Sequence, residues 1–149
     1  MKFKFPFETL RKVRKREEEV AQKEYLEART QLEELLYEID EMYKSIDKSR
    51  LSISRLQFGK EALRIEEIQA LEAFILGQHV RIRSERVKAR ELMRNVEEKQ
   101  DIFFQKARDF KVIDRLREKR MSEFRRNKRK KEEKQMDEIV VLRSKRGAS

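Results

Sequence analysis

Apolar side chains recur at every seventh residue through the second half of the chain. The positions are Ile68, Ile75, Ile82, Ala89, Val96, Phe103, Phe110, Arg117 and Phe124, and only Arg117 is polar. Seven residues make almost two turns of an α-helix, so this spacing returns to nearly the same side. A single apolar stripe of this length, with charge on the other sides, predicts a long helix that packs against another helix along one seam.

The first half of the chain shows a related pattern. A helix is expected to begin near Pro6, because proline presets the backbone of a first helical turn and Glu8 suits the positive end of the helix dipole. Between Tyr25 and Ile46 the apolar positions follow in steps of three and four residues, which is the spacing of coiled-coil core positions. The rhythm slips earlier in the chain, where Glu17 falls on the seam, and this predicts weak local packing.

The two patterns meet in a region where helical spacing is lost. Ser49, Ser52 and Ser54 interrupt the apolar positions there, and Gly59 follows them. We therefore expect the chain to reverse in this region, with one continuous helix as the alternative. Two long helices joined by a short turn run antiparallel.

The predicted architecture is all-α: two long helices that form an antiparallel coiled-coil hairpin in a single domain, residues 1–149. The helices are expected at about 8–48 and 62–142, with the turn at about 49–61 and a flexible tail at 143–149. Because the second helix is longer, it should extend beyond the end of the first helix. This overhang is expected to begin somewhere between Gln100 and Phe110. The overhang would expose Phe103, Phe104, Phe110, Ile113, Leu116, Met121 and Phe124. Large exposed apolar patches mark interaction surfaces.

Composition argues against several protein classes. Charged residues make up 46% of the sequence, with one proline, three glycines and no tryptophan, which suits a rod with one dry seam better than a three-dimensional core. Such a polar chain could instead be disordered, but disordered chains have no reason to keep a register. There is no cysteine, and the longest apolar runs are far shorter than the ~20 residues that cross a bilayer, so we expect a cytoplasmic protein.

No constellation of residues for catalysis or cofactor binding is visible. His79 is the only histidine, and a lone histidine on a helix is more often a seam or surface residue than a ligand. The isolated glycines cannot form a phosphate-binding loop, and the acidic residues alternate with Lys and Arg as helical salt-bridge partners. We therefore expect a protein that is not an enzyme, with no cofactor, no metal site and no small-molecule substrate.

Charge is distributed unevenly along the chain. Residues 1–16 carry a net charge of +6 and residues 101–149 a net charge of +8, whereas residues 17–100 carry −4. Antiparallel folding would gather the two basic regions at one end of the hairpin. The positive electrostatic field of this end would steer the protein toward an acidic surface. The densest basic run, Arg125–Lys131, could be a solvated helical face, a nucleic-acid contact or a contact with an acidic protein. It has no interleaved aromatic residue for base stacking, which makes nucleic acid a less favoured partner.

A second set of apolar residues lies off the predicted seams, in the half of the hairpin near the turn. It comprises Leu36, Tyr37, Tyr43, Leu71 and Phe74. These side chains could be isolated surface residues, or they could pack against a third helix. Alternatively they form a second docking patch, and their aromatic content favours a protein partner.

Four segments of the chain form an ordered set of motifs. They are Phe7–Leu10 with Glu24–Ala28 behind it, Val87–Met93, Lys111–Lys119, and Glu132–Ile139 followed by Arg143. Each segment alone could occur in any charged coiled coil, but together they cover nearly the whole chain. In this order, and with these basic ends, the set resembles the flagellar export protein FliJ family. The dense Arg125–Lys131 run and the glycine-poor turn depart from the family pattern.

The resemblance implies a component of the bacterial flagellar type III protein export apparatus, similar in shape to the central stalk of rotary ATPases. Members of this family insert their terminal pole into the ring of the hexameric export ATPase and promote its assembly and activity. They also contact the cytoplasmic part of the transmembrane export gate and are implicated in recycling export chaperones. The resemblance therefore implies a cytoplasmic protein that is peripherally associated with the inner-membrane export apparatus and acts in flagellar biogenesis and motility.

Two sets of contact residues are expected on this basis. Contact with the ATPase ring is assigned to Phe7, Leu10, Val13, Arg14, Phe124, Arg125, Arg129, Asp137 and Glu138. Contact with the export gate or with chaperones is assigned to Leu36, Tyr37, Tyr43, Leu71 and Phe74. Two alternatives stay open: a basic coiled coil that binds RNA or ribosomes, and a coiled coil that self-associates through its overhangs.

Overall fold

Two α-helices make up the fold. The computed structural model describes residues 2–59 and 64–147, and these ranges contain no strand. The first helix, α1, spans Glu8–Phe58, and the second, α2, spans Ile65–Gly147. They pack against each other as an antiparallel pair, so the predicted all-α hairpin is confirmed and the alternative of one continuous helix is wrong.

The antiparallel arrangement is visible in the residues that pair across the two helices. The pair of Glu8 and Arg117 is separated by 109 residues of sequence, whereas the pair of Ser45 and Gln78 is separated by 33. Separations that shrink toward the turn are what antiparallel pairing requires. Each position along α1 therefore has a defined partner position on α2.

The first helix begins at the predicted residue but ends later than predicted. Residues 49–58 are helical, so the predicted turn at 49–61 is wrong over this stretch, and its residues 60 and 61 lie outside the described residues. The serines do not break the helix, because the Ser52 hydroxyl donates a hydrogen bond to the carbonyl oxygen of Lys48, at 3.1 Å. The helix ends before Gly59, where a Cβ atom would lie 2.8 Å from the carbonyl oxygen of Arg55.

The second helix also extends further than predicted. Its last turn contains Lys145 and Arg146, whose charges suit the negative end of the helix dipole. The predicted flexible tail is therefore helical over residues 143–147, and residues 148 and 149 lie outside the described ranges. The same holds for residues 62 and 63, where this helix was expected to begin.

The seam on α2 follows the heptad stripe. All nine stripe positions, from Ile68 to Phe124, are buried or half-buried, which confirms the predicted packing face. The second edge of the seam lies three residues after each stripe position near the turn. It comprises Leu71, Gln78, Glu85 and Leu92, all of them half-buried. Leu71 was expected off the seam and lies on it, because the second edge was expected four residues after each stripe position.

Contacts divide the chain into two compact units. The turn-side unit spans Val20–Phe103, and the terminal unit combines the residues up to Glu19 with those from Phe104 onward. The core of the turn-side unit is the cluster of Leu35, Ile39, Met42, Ile46, Ile82 and Ala89. Phe5 and Ile113 are buried in the terminal unit. The single domain expected from the sequence stays a prediction.

Candidate protein-interaction surfaces

The terminal unit begins with a short aromatic segment, residues 2–7, which we call the N-terminal strap. It precedes α1 and is not helical. The Phe3 ring packs against Phe124 on α2, with ring centroids 5.6 Å apart. Phe5 is buried, and the guanidinium of Arg120 lies 5.9 Å from the centre of its ring. Apolar contact and cation–π attraction therefore hold the strap against the second helix.

Cross-helix ion pairs continue the contact beyond the strap. The Arg11 guanidinium donates a hydrogen bond to the Asp114 carboxylate at 2.9 Å, and Arg117 donates to Glu8 at 3.1 Å. The hydrogen bond to Asp114 is the main cause of a raised pKa of Arg11. Arg11 also lies over the ring of Phe110, 5.4 Å from its centre. These contacts pair the first turns of α1 with residues of α2 that were expected to lie beyond it.

The predicted overhang is therefore wrong between Gln100 and Phe124. Ile113 is only 4% exposed, and Phe103 stacks on Tyr25 of α1 with ring centroids 6.0 Å apart. Leu116, Met121, Phe110 and Phe124 are half-buried, and Phe104 alone of the expected set is exposed. The physical reason is the late end of α1: because the helix runs on through the serines, every cross-helix partner moves further along α2.

The exposed part of α2 begins after Phe124. All residues from 125 to 147 are exposed, and we call this stretch the C-terminal exposed segment. At 1.5 Å per residue it is about 34 Å long. Within the described residues, no ion pair holds any member of the Arg125–Lys131 run. Further along, the side chains of Met136 and of Ile139–Leu142 are each 45% exposed or more.

All nine residues predicted to contact the ATPase ring belong to the terminal unit. Those that are exposed are Phe7, Leu10, Val13, Arg125, Arg129, Asp137 and Glu138. The other two serve the fold: half-buried Arg14 donates a hydrogen bond to the Asp109 carbonyl oxygen at 2.9 Å, and half-buried Phe124 holds the strap. The structure thus brings the predicted set into one unit, but Arg14 and Phe124 are already engaged within it, and the exposed ring of Phe7 also contacts Arg120 at 5.4 Å.

Charge separates the two units. The terminal unit carries 24 Lys and Arg residues and 12 Asp and Glu residues, a net charge of +12. The turn-side unit has a net charge of −2. The basic side chains Arg125, Arg126, Arg129 and Lys130 also line one shallow cleft on the exposed segment. The terminal unit is therefore suited to bind an acidic surface.

The second predicted patch lies entirely in the turn-side unit. Leu36, Tyr37, Tyr43 and Phe74 are exposed. Leu36 and Tyr43 are seven residues apart and so share one face of α1. Leu71 is a seam residue and does not contribute its full surface to this patch.

Sequence reasoning missed the strap and the arginine that binds it. Phe3, Phe5 and Arg120 were assigned no role, although the alternation of phenylalanine with lysine before Pro6 is a recognisable signal for an extended segment with one apolar side. It also placed Glu17 on the seam. The half-buried residue is Glu18, one of whose carboxylate oxygens is buried without a hydrogen-bond partner and lies 3.6 Å from the ammonium of Lys15. Glu17 is exposed and pairs with Lys106 across the helices at 3.3 Å.

Two further kinds of site were searched for in the described parts of the chain. No group of three or more His, Cys, Asp or Glu side chains in residues 2–59 and 64–147 is placed to hold a metal ion. Neither helix, over its described length, has a stretch apolar enough to cross a membrane.

Comparison with known proteins gives one match. A search of curated proteins found no relative, and a search of solved structures found no similar fold. The family described as flagellar FliJ protein matches residues 3–149, which is nearly the whole chain. The match covers both helices, the strap and the exposed segment, and on this evidence the chain belongs to the flagellar FliJ protein family.

Proposed function

We propose that this protein is a non-enzymatic component of flagellar type III protein export that binds a hexameric export ATPase and activates it. Membership of the FliJ family supports a role in flagellar protein export. The observation that carries the choice of surface is the C-terminal exposed segment. It is about 34 Å of helix that no described element covers, and it belongs to the unit that carries a net charge of +12.

The segment combines two properties that suit insertion into the opening of a protein ring. Its basic run, Arg125–Lys131, steers it toward acidic side chains at a distance. Its apolar side chains, Met136 and Ile139–Leu142, can then be buried in a protein groove, which supplies affinity that charge alone does not. The exposed strap residue Phe7, with Leu10 and Val13, adds apolar surface in the same unit.

A second surface would serve the other partners of the export apparatus. Leu36, Tyr37, Tyr43 and Phe74 are exposed in the turn-side unit, which carries no basic excess. Aromatic side chains of this kind are enriched in protein interfaces. We assign them to the cytoplasmic part of the export gate or to export chaperones, so that the protein would link these to the ATPase at the inner membrane.

The decisive experiment measures ATP hydrolysis by the purified export ATPase of the same organism with and without this protein. The full chain is expected to raise the turnover. A chain truncated after Asn127 keeps every cross-helix contact up to Phe124 and Phe3, so it should stay folded by circular dichroism but lose the stimulation. Full stimulation by the truncated chain would refute the assignment of the exposed segment.

Charge can be tested separately from length. Replacing Arg125 and Arg129 with glutamine removes two exposed charges that make no ion pair within the described residues. The matched control replaces Arg81 and Arg86 with glutamine; these are two exposed arginines of the turn-side unit that likewise make no ion pair within the described residues. The first variant should require about tenfold more protein for half-maximal stimulation, whereas the control should not differ from the natural chain. Equal behaviour of both variants would contradict the electrostatic part of the proposal.

Binding to RNA or ribosomes is the second candidate, and the density of the Arg125–Lys131 run favours it. Affinity for RNA should then fall linearly on a double-logarithmic plot against salt, with a slope that increases with the number of phosphates contacted. If RNA binding persists at moderate salt while the ATPase is unaffected by the full chain, this candidate replaces the first.

A further inference from the structure

One face of α2 in the turn-side unit is mainly apolar and exposed, with a single charged residue, Arg83, at its edge. We call it the outer stripe; it comprises Ala73, Leu76, Gly77, Val80, Ser84 and Val87. These residues recur in steps of one, three and four. Viewed down the axis of an ideal helix, each lies within about 60° of the direction in which Val80 points. The seam residues Leu71 and Ala89 point in the opposite direction. The stripe therefore faces away from α1.

The outer stripe is unusual for this chain in both charge and exposure. In a sequence that is 46% charged, its outward face carries a single charged residue, Arg83, between Gln69 and Val87. Leu76 is 68% exposed, Val80 61% and Val87 54%, and no described element covers them. Solvated faces of long helices ordinarily alternate acidic and basic residues. A mainly apolar stripe opposite the seam, with one charged residue at its edge, is the pattern expected for a helix that packs on two sides.

Gly77 adds a second, independent observation. It lies deep inside a helix of 83 residues, where glycine costs about 1 kcal/mol relative to alanine. A Cβ atom at this position would meet nothing within 4 Å, so no contact with the described part of the chain explains the glycine. Glycine on a helix surface allows another helix to approach closely. The position thus fits a docking site for a helix.

The charges at the two ends of the stripe identify the partner. Acidic residues, among them Glu66 and Glu72, flank its N-terminal end, and basic residues, among them Arg90 and Arg94, flank its C-terminal end, with one acidic residue, Glu91, between these two arginines. Glu66, Glu72, Arg90 and Arg94 are exposed, and none of them makes an ion pair within the described residues. A second copy of the same helix, laid antiparallel about Val80, would place Glu66 opposite Arg94 and Glu72 beside Arg90. Two-fold symmetry repeats each pair.

From these observations we infer that the outer stripe is a self-association surface through which two copies of this chain pair antiparallel, with a two-fold axis near Val80. Ala73 of one copy then packs beside Val87 of the other, and Leu76 packs beside Ser84. This inference does not depend on the proposed role with the ATPase, because it uses a face of the turn-side unit alone.

Cysteine cross-linking tests both the surface and the direction of pairing, since the natural chain has no cysteine. Chains carrying Ala73→Cys and Val87→Cys are mixed and oxidised mildly. Antiparallel pairing predicts disulfide-linked heterodimers between the two variants, because these positions face each other within disulfide distance. Ala73→Cys alone should stay uncross-linked. Homodimers of Ala73→Cys without heterodimers would mean parallel pairing and would overturn the inference.

Analytical ultracentrifugation gives the matching measurement in solution. The natural chain is expected to show a concentration-dependent shift from monomer to dimer in the micromolar range. Gly77→Leu should raise the dimer Kd about tenfold, because its side chain fits the monomer but obstructs the close approach. Val112→Glu, in the terminal unit, is the control and should leave the Kd unchanged. A natural chain that remains monomeric up to ~200 µM overturns the inference.

Charge-reversal variants distinguish specific antiparallel pairing from non-specific association. Glu72→Arg and Arg90→Glu should each weaken the dimer about fivefold, because each creates two like-charge contacts per dimer. The double variant should recover the natural Kd, because it restores opposite charges at both symmetry-related sites. If the double variant is weaker than either single one, the antiparallel register is wrong. If Val80→Glu abolishes ATPase stimulation in a chain that is always monomeric, the stripe binds another protein and self-association is refuted.

Discussion

Replacing Ile113 with alanine tests how far the two helices stay packed. Ile113 is 4% exposed, while its neighbour Val112 is 66% exposed, so the two residues form a matched pair of one buried and one exposed β-branched side chain on α2. Removing three buried carbon atoms from Ile113 costs ~0.8 kcal/mol for each, or about 2.4 kcal/mol, before any cavity is counted. The better helix propensity of alanine returns roughly 0.4 kcal/mol. We expect Ile113→Ala to lower the free energy of unfolding by about 2–3 kcal/mol.

Val112→Ala is the control for this prediction. It gains the same kind of helix propensity and loses little buried surface, so it should leave the free energy of unfolding unchanged or raise it by about 0.5 kcal/mol. Urea unfolding followed by circular dichroism at 222 nm measures both variants, because the signal reports the helices directly. If α2 already overhung α1 at this point, the two variants would behave alike. Equal stabilities would therefore refute the pairing described for the terminal unit.

Two further substitutions probe the terminal unit. Phe5→Ala removes the buried ring that Arg120 covers and should release the strap from α2. We expect the free energy of unfolding to fall by about 1–2 kcal/mol and trypsin to cleave faster after Lys4. An unchanged rate of cleavage would mean that this ring does not hold the strap. Glu18→Leu removes a buried carboxylate oxygen whose one partner is an ion pair with partly exposed Lys15 at 3.6 Å. It should stabilise the chain by up to about 1 kcal/mol in urea unfolding, because burying the carboxylate costs more than this ion pair returns, whereas a destabilised variant would show that the ion pair outweighs the cost of burial.

The heptad stripe was enough to predict the fold. Burial of every seventh residue from Ile68 to Phe124 follows directly from the spacing of apolar residues on a helix, and a long seam demands a second helix. The end of α1 could not be predicted in the same way. Ser49 and Ser52 look like helix breakers in isolation, yet a serine hydroxyl can bond to the carbonyl oxygen of the preceding turn and so remain in a helix.

That error in one boundary changed the interpretation of the candidate site. Because α1 continues to Phe58, the residues from Phe110 to Phe124 have partners, and the exposed segment starts later than expected. Residue types alone placed Arg14 in a binding surface, whereas the structure gives it a partner in the Asp109 carbonyl oxygen. Side-chain partners of this kind depend on the register between the helices, which composition and spacing do not determine.

The contact between Phe3 and Phe124 has a practical consequence for anyone who purifies this protein. Ring centroids 5.6 Å apart bring the strap to the point where the exposed helix departs. An affinity tag or fluorescent fusion attached ahead of Phe3 would be delivered to that same place, where it could shield Arg125 or crowd an incoming partner. Loss of activity in such a fusion would then resemble a functional defect. Reporters are better attached through an engineered cysteine on an exposed position of the turn-side unit, such as Gln57, far along the sequence from both the strap and the basic run.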